Sequence, residues 1–208
     1  MGKILDKLLH GEAKLLEKGR EALRNSQYQE ALQFAERALA LDPKSKDARY
    51  FKGRVYLRQG KANMAIGIFD DLANTYHNDR SILEGAGDAY ALGNQYQPAA
   101  NFYGKVLALM PQSQKDVYAM RILKKRGAAL IKLAKQQARS KSGEADKIRK
   151  TAYDCLNTVI KMQPVYENET QQKIGAALQE ECASLLKELT SPPKAPYGRN
   201  QTQRYGKR

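Results

Sequence analysis

A glycine returns every 34 residues along the first half of this 208-residue chain, at Gly19, Gly53 and Gly87. Other positions keep the same interval. Ala31, Ala65 and Ala99 share it, Tyr56 and Tyr90 follow their glycines by three, and Phe69 and Tyr103 follow their alanines by four. Pro43 and Pro111 stand two periods apart. Recurrence at this length marks a stack of helical hairpins, each unable to bury its apolar face alone. Glycine inside a helix costs about 1 kcal/mol relative to alanine, so a glycine repeated at mid-helix needs a close packing. Gly87 and Ala99 read as such a pair. Asn25-Ser26, Gln59-Gly60 and Gly93-Asn94 read as turns within hairpins, and Asp42-Pro43 and Met110-Pro111 as the ends of second helices.

At these residues the chain resembles the tetratricopeptide repeat (TPR) family, whose pattern runs W-x2-L-G-x2-Y, then A-x3-F, then P. The third repeat fits with Leu83, Ala86, Gly87, Tyr90, Ala99, Tyr103 and Pro111. The second gives Gly53, Tyr56, Gly60, Ala65 and Phe69, with His77 at the usual proline. The first gives Leu15, Gly19, Ala22, Ala31, Ala35, Ala38 and Pro43, and the chain has no tryptophan. The resemblance implies an all-α solenoid that binds a partner on a concave face lined by the first helix of each hairpin.

A fourth, enlarged repeat follows. Gly127 takes the glycine position and Pro164 the closing proline, 37 residues apart where the regular spacing is 24. Met120, Leu123, Gly127, Leu130 and Ala134 have helical spacing and predict one long helix over about 114–139. Ser140 to Gly143 reads as the turn, and Ile148, Ala152, Leu156, Val159 and Ile160 mark the return helix. A last helix over about 170–190 is expected to cap the open end of the stack. The organisation read from sequence is a short amphipathic N-terminal helix over 1–10, a TPR solenoid over 11–190, and a disordered basic tail over 191–208.

The net charge is +14, and it is not spread evenly. Residues 121–150 hold eleven Lys and Arg against only Glu144 and Asp146, and the tail from Pro192 adds five more with no acid. These two segments account for the whole excess. Either the enlarged repeat has a lysine-rich solvated face, or it meets phosphates. Nucleic-acid contact would fall on Lys124, Lys125, Arg126, Lys135, Arg139, Lys141, Arg199 and Arg204.

No constellation for catalysis is apparent. Histidine is restricted to His10, read as ending the first short helix, and His77, read as a loop residue. No phosphate loop or nucleophile elbow occurs. Two isolated cysteines, Cys155 and Cys182, read as buried thiols rather than metal ligands. The sequence therefore predicts a non-enzyme with no cofactor and no metal. The first ten residues lack the apolar core of a signal peptide and no segment approaches a membrane span, which predicts a cytoplasmic protein.

Phase from each glycine places Arg20 with Arg54 and Arg24 with Arg58, one turn on; Tyr50 lies one turn before Arg54. The third repeat carries Glu84 and Asp88, and the fourth Arg121, Lys124 and Lys132 on or near the same face. The expected partner-binding set is thus Arg20, Arg24, Tyr50, Arg54, Arg58, Glu84, Asp88, Arg121, Lys124 and Lys132, basic at both ends and acidic between. The family's clamp for acidic chaperone C-termini falls by phase on Leu16, Arg20, Phe51, Ser81 and Gly85, and none matches. The function read from sequence is an adaptor or scaffold for a protein or extended peptide, acidic ones included. One alternative is an RNA- or ribosome-associated repeat protein using the basic segment and tail. Another is a chaperone-like TPR for a secretion or assembly substrate.

Overall fold

The structure, a computed structural model, describes residues 2–111, 116–137, 143–164 and 166–190, with side chains described from His10 onward. Among these residues it contains helices and no strand: α1 (Gly2–Arg24), α2 (Tyr28–Leu41), α3 (Lys46–Arg58), α4 (Ala62–Thr75), α5 (Arg80–Leu92), α6 (Tyr96–Ala108), α7 (Val117–Gln137), α8 (Glu144–Lys161) and α9 (Glu169–Thr190). Each helix packs on the next, and α1 also touches α3, as α3 touches α5 and α7 touches α9. No comparable packing joins α2 to α4 or α4 to α6. Over the three regular hairpins the first helices, α1, α3 and α5, are therefore the closer, inner row of the stack, and α7 meets α5 through long side chains. The regular helices run 13 or 14 residues, whereas α7 and α8 have 21 and 18. The added residues thus lengthen the fourth hairpin. Residues 138–142 lie outside the described residues, so of the expected turn from Ser140 to Gly143 only Gly143, at the start of α8, is seen; the tail 191–208 also lies outside them.

The 34-residue interval extends to backbone geometry. Ser26, Gly60 and Asn94 all take positive φ, of 60°, 73° and 59°. At each, the following amide donates to a carbonyl five residues back: Gln27 to Ala22, Lys61 to Tyr56, Gln95 to Tyr90. This Schellman closure stops the first helix and reverses the chain in one left-handed residue. Entry to the second and third hairpins is fixed by side-chain caps: the Ser45 hydroxyl accepts from the Ala48 amide at 3.1 Å at the start of α3, and Asp79 accepts from Ser81 and Ile82 at the start of α5.

The repeated glycines make room for rings. A Cβ on Gly87 would stand 2.6 Å from the Tyr103 ring, and on Gly53 2.9 Å from Phe69. Gly87 therefore faces the aromatic of the second helix more closely than the expected partner Ala99. The fully buried Phe69 also fills the space above Gly85, 2.3 Å from a would-be Cβ. The first hairpin has Ala35 where the others have that ring, and Phe51 of the next hairpin fills the gap, 2.6 Å from a Cβ on Gly19. In the fourth hairpin Leu156 takes the same role against Gly127.

The N-terminus differs from expectation. α1 runs without a break from Gly2 to Arg24, so His10 lies inside it and not at the end of a short separate helix. At the other end α9 lies against α8 and α7. The Gln179 side-chain amide donates to the carbonyls of Val159, Ile160 and Met162 at 3.0–3.3 Å, satisfying the open end of α8. Cys155 and Cys182 are buried free thiols, and burial pushes both thiols up, Cys182 to about 11.

Candidate functional site

Between α1 and α3, on the inner row, lies a groove of about 520 Å³. Arg20 and Arg24 of α1 and Arg54 and Arg58 of α3 line it, with Tyr50, Phe51, Leu23, Tyr28 and Ser26. One helical turn separates the arginines of each pair, and residues four apart share a helix face. The equal phase of the two helices brings the pairs to opposite walls. Arg20 lies 3.2 Å and Arg24 3.6 Å from Glu17, an exposed carboxylate on their own helix. Arg54 donates to the Tyr50 hydroxyl at 3.2 Å and sits over that ring. Neither Arg54 nor Arg58 has an ion pair among the described residues. Tyr50 is held edge-on against Phe69, 5.8 Å between centroids, which ties the groove floor to the core.

The inner row changes character toward α7. Lys46 of α3 bridges to Asp79 at the start of α5, 3.1 Å away. The Lys46–Asp79 hydrogen bond raises the lysine pKa, while at Asp79 burial pushes upward and Lys46 with the two backbone amides outweighs it. Further along, Lys125 of α7 reaches both Glu84 (2.8 Å) and Asp88 (2.7 Å) of α5. Asp88 also accepts from the Tyr103 hydroxyl at 2.7 Å, and Arg121 lies 3.5 Å from Glu84. Burial alone would raise the Glu84 carboxyl, but Lys125, Arg121 and Tyr118 hold it below its ordinary value. Burial, then Glu84, pushes the Tyr118 hydroxyl up to about 12.

The structure thus brings Arg20, Arg24, Tyr50, Arg54 and Arg58 to one groove. Glu84, Asp88 and Arg121 meet instead in a network with Lys125 that joins α5 to α7, so the acidic middle expected from sequence is internally neutralised. Lys124 pairs with Glu181 and Lys135 with Glu188, both on α9. Lys132 sits over the Tyr96 ring, 5.3 Å from its centroid. Arg126 lies against Gly104, and its Nε is buried with no hydrogen-bond partner. Arg139, Lys141, Arg199 and Arg204 lie outside the described residues.

Sequence reasoning missed Leu23, Tyr28 and Phe51 in the groove, and the inward role of Lys125. A signal for Lys125 was present. It stands two residues before Gly127, the phase that Phe51 and Gly85 occupy before their glycines, and both of those are buried.

A sequence model described as tetratricopeptide repeat matches residues 22–86. The repeats within residues 22–86 are thus of the tetratricopeptide type. Comparison with curated protein sequences gives no match. Among solved structures, the chain is similar to the first TPR domain of human RPAP3, with 18% identity and a TM-score of 0.55, over 62% of this chain and 98% of that one. It is similar to MamA at 16% identity and a TM-score of 0.54, over 88% and 86%. A tetratricopeptide repeat protein from Parabacteroides merdae gives 17% and 0.56, over 86% and 66%. At such identities the likeness establishes the fold, an all-α helical-hairpin solenoid. No helix among the described residues is long and apolar enough to cross a membrane.

Proposed function

We propose that this protein is a non-enzymatic adaptor that holds an extended, acidic segment of a partner protein in the groove between α1 and α3. The observation that carries this reading is the convergence of four guanidiniums on one groove with a single carboxylate, Glu17, beside them. Arginine's planar fork suits carboxylates, and Arg54 and Arg58 stand ready to accept them. The floor of Leu23, Phe51 and Tyr50 offers an apolar seat for a side chain between the acidic ones. The rest of the inner row supports the same location, because its charges already face one another across α3–α5 and α5–α7.

Arg20→Glu combined with Arg54→Glu tests the reading. Charge-assisted hydrogen bonds contribute about 1.5–3 kcal/mol each, so binding of a Glu-rich peptide should weaken by about 100-fold or more. Both side chains are exposed, so the melting temperature should hold. Retained affinity for the same peptide would place recognition on another surface.

A further inference from the structure

Resting on the adaptor reading, we infer that the α1–α3 groove is a phosphopeptide site. It seats a phosphoserine or phosphothreonine of the partner segment between Arg20 and Arg24 on one wall and Arg54 and Arg58 on the other. An adjoining apolar residue of the segment lies over Leu23 and Phe51.

Three features favour a phosphate over a carboxylate. The first is the residue type. All four positions carry arginine, whereas α7 carries Ala128 and Lys132 at the same two phases. A guanidinium presents paired donors in a fixed plane, while an ammonium is a point charge, and repeated arginine marks planar two-oxygen recognition. The second is number. A carboxylate has two oxygens and one charge, which one guanidinium satisfies. A phosphate monoester has three free oxygens and a charge of about −1.5 to −2, enough to engage guanidiniums from both walls. The third is Glu17. Its carboxylate sits at 3.2 Å from Arg20 and 3.6 Å from Arg24, and it leaves the α3 pair without an anion. One internal carboxylate therefore does not saturate the groove. Glu17 also competes with an incoming anion for the α1 wall.

The probes are three degenerate peptide pools, identical except for a fixed central phosphoserine, glutamate or serine, each followed by a fixed leucine. Their affinities for the full chain are measured by fluorescence polarisation. The phosphoserine pool should bind at least tenfold tighter than the glutamate pool, with no binding of the serine pool. Its affinity should fall as pH drops through about 6, where the second phosphate proton binds, while the glutamate pool stays flat there. Arg54→Gln with Arg58→Gln should erase the preference at an unchanged melting temperature. Glu17→Gln should tighten the phosphoserine pool several-fold by freeing the α1 wall. Equal affinity of the phosphoserine and glutamate pools, both lost in the arginine variant, overturns the phosphate inference and leaves the acidic-peptide reading standing. No binding by any pool overturns both. A phosphoserine preference that survives the arginine variant, or a Glu17→Gln variant with no gain, overturns the placement of the site.

Discussion

Two stretches of the inner row are comparably rich in charged side chains and use them in opposite ways. Between α1 and α3, four arginines line an open groove, two of them shared with Glu17 and two without an acid. Between α5 and α7, Lys125 is clasped by Glu84 and Asp88, Asp88 by Tyr103, and Glu84 by Arg121. One stretch offers charge to a partner, and the other uses it to fasten the enlarged fourth hairpin to the regular three. The net charge of a segment is thus a poor guide to its binding. Residues 121–150 hold the densest basic run of the described chain, yet Arg121, Lys124, Lys125 and Lys135 all face carboxylates. The first two hairpins, residues 1–75, hold 14 Lys and Arg against 10 Asp and Glu, a smaller excess, yet they carry the open basic groove.

The strongest perturbation removes the scaffold under both stretches at once. Gly85→Leu drives a side chain into the buried Phe69 ring, whose neighbours are Gly53 on α3 and Tyr50 at the groove floor. Overpacking of this kind costs about 1–3 kcal/mol and occasionally more, and urea denaturation should show a loss near the top of that range. An unchanged midpoint would mean that the ring has space the structure does not show.

A smaller effect separates the stretches. Lys125→Ala leaves Glu84, whose side chain is only 16% exposed, without its main partner. A partly buried acceptor left unpaired costs about 1–3 kcal/mol. Arg54→Ala and Arg58→Ala touch exposed side chains, and each should change stability by no more than about 0.5 kcal/mol. Equal losses at the two places would erase the distinction between fastening and offering.

The third perturbation is pH. Glu84 is held below its ordinary value of 4.5 in the folded protein. A carboxyl with a lowered folded pKa contributes stability above its unfolded pKa and loses that contribution as pH falls through the folded value. The stability gap between the native chain and Lys125→Ala should therefore be full at neutral pH and narrow below about pH 4.5. A gap that stays constant into acid would show that Lys125 acts by packing and not by charge.

Much of the fold was legible because the interval of 34 residues is imposed by packing. Each glycine that must lie under a ring recurs, and so does each left-handed turn residue, Ser26, Gly60 and Asn94. Phase also collected Arg20, Arg24, Tyr50, Arg54 and Arg58, since equal register on neighbouring inner helices means adjacency in space. Pairing across helices was less legible. That Glu84 and Asp88 meet Lys125 depends on how α7 docks on α5, and the fourth repeat departs from the regular spacing at that point. Phe51 was hidden for a related reason: it replaces a ring missing from a different hairpin, at Ala35. The continuity of α1 through His10 was not legible either, because the repeat pattern begins only at Leu15. Inside α1, Gly11 lies against Leu41, where a Cβ would stand at 3.4 Å.

The most direct test is an amide-resolved titration of the isotope-labelled chain with a Glu-rich peptide containing one central leucine. The account predicts chemical-shift changes concentrated on α1 and α3 around Arg20, Arg24, Tyr50, Arg54 and Arg58, with Glu84, Asp88 and Lys125 unmoved. Changes centred on α7 and α8, or none at saturating peptide, would contradict it.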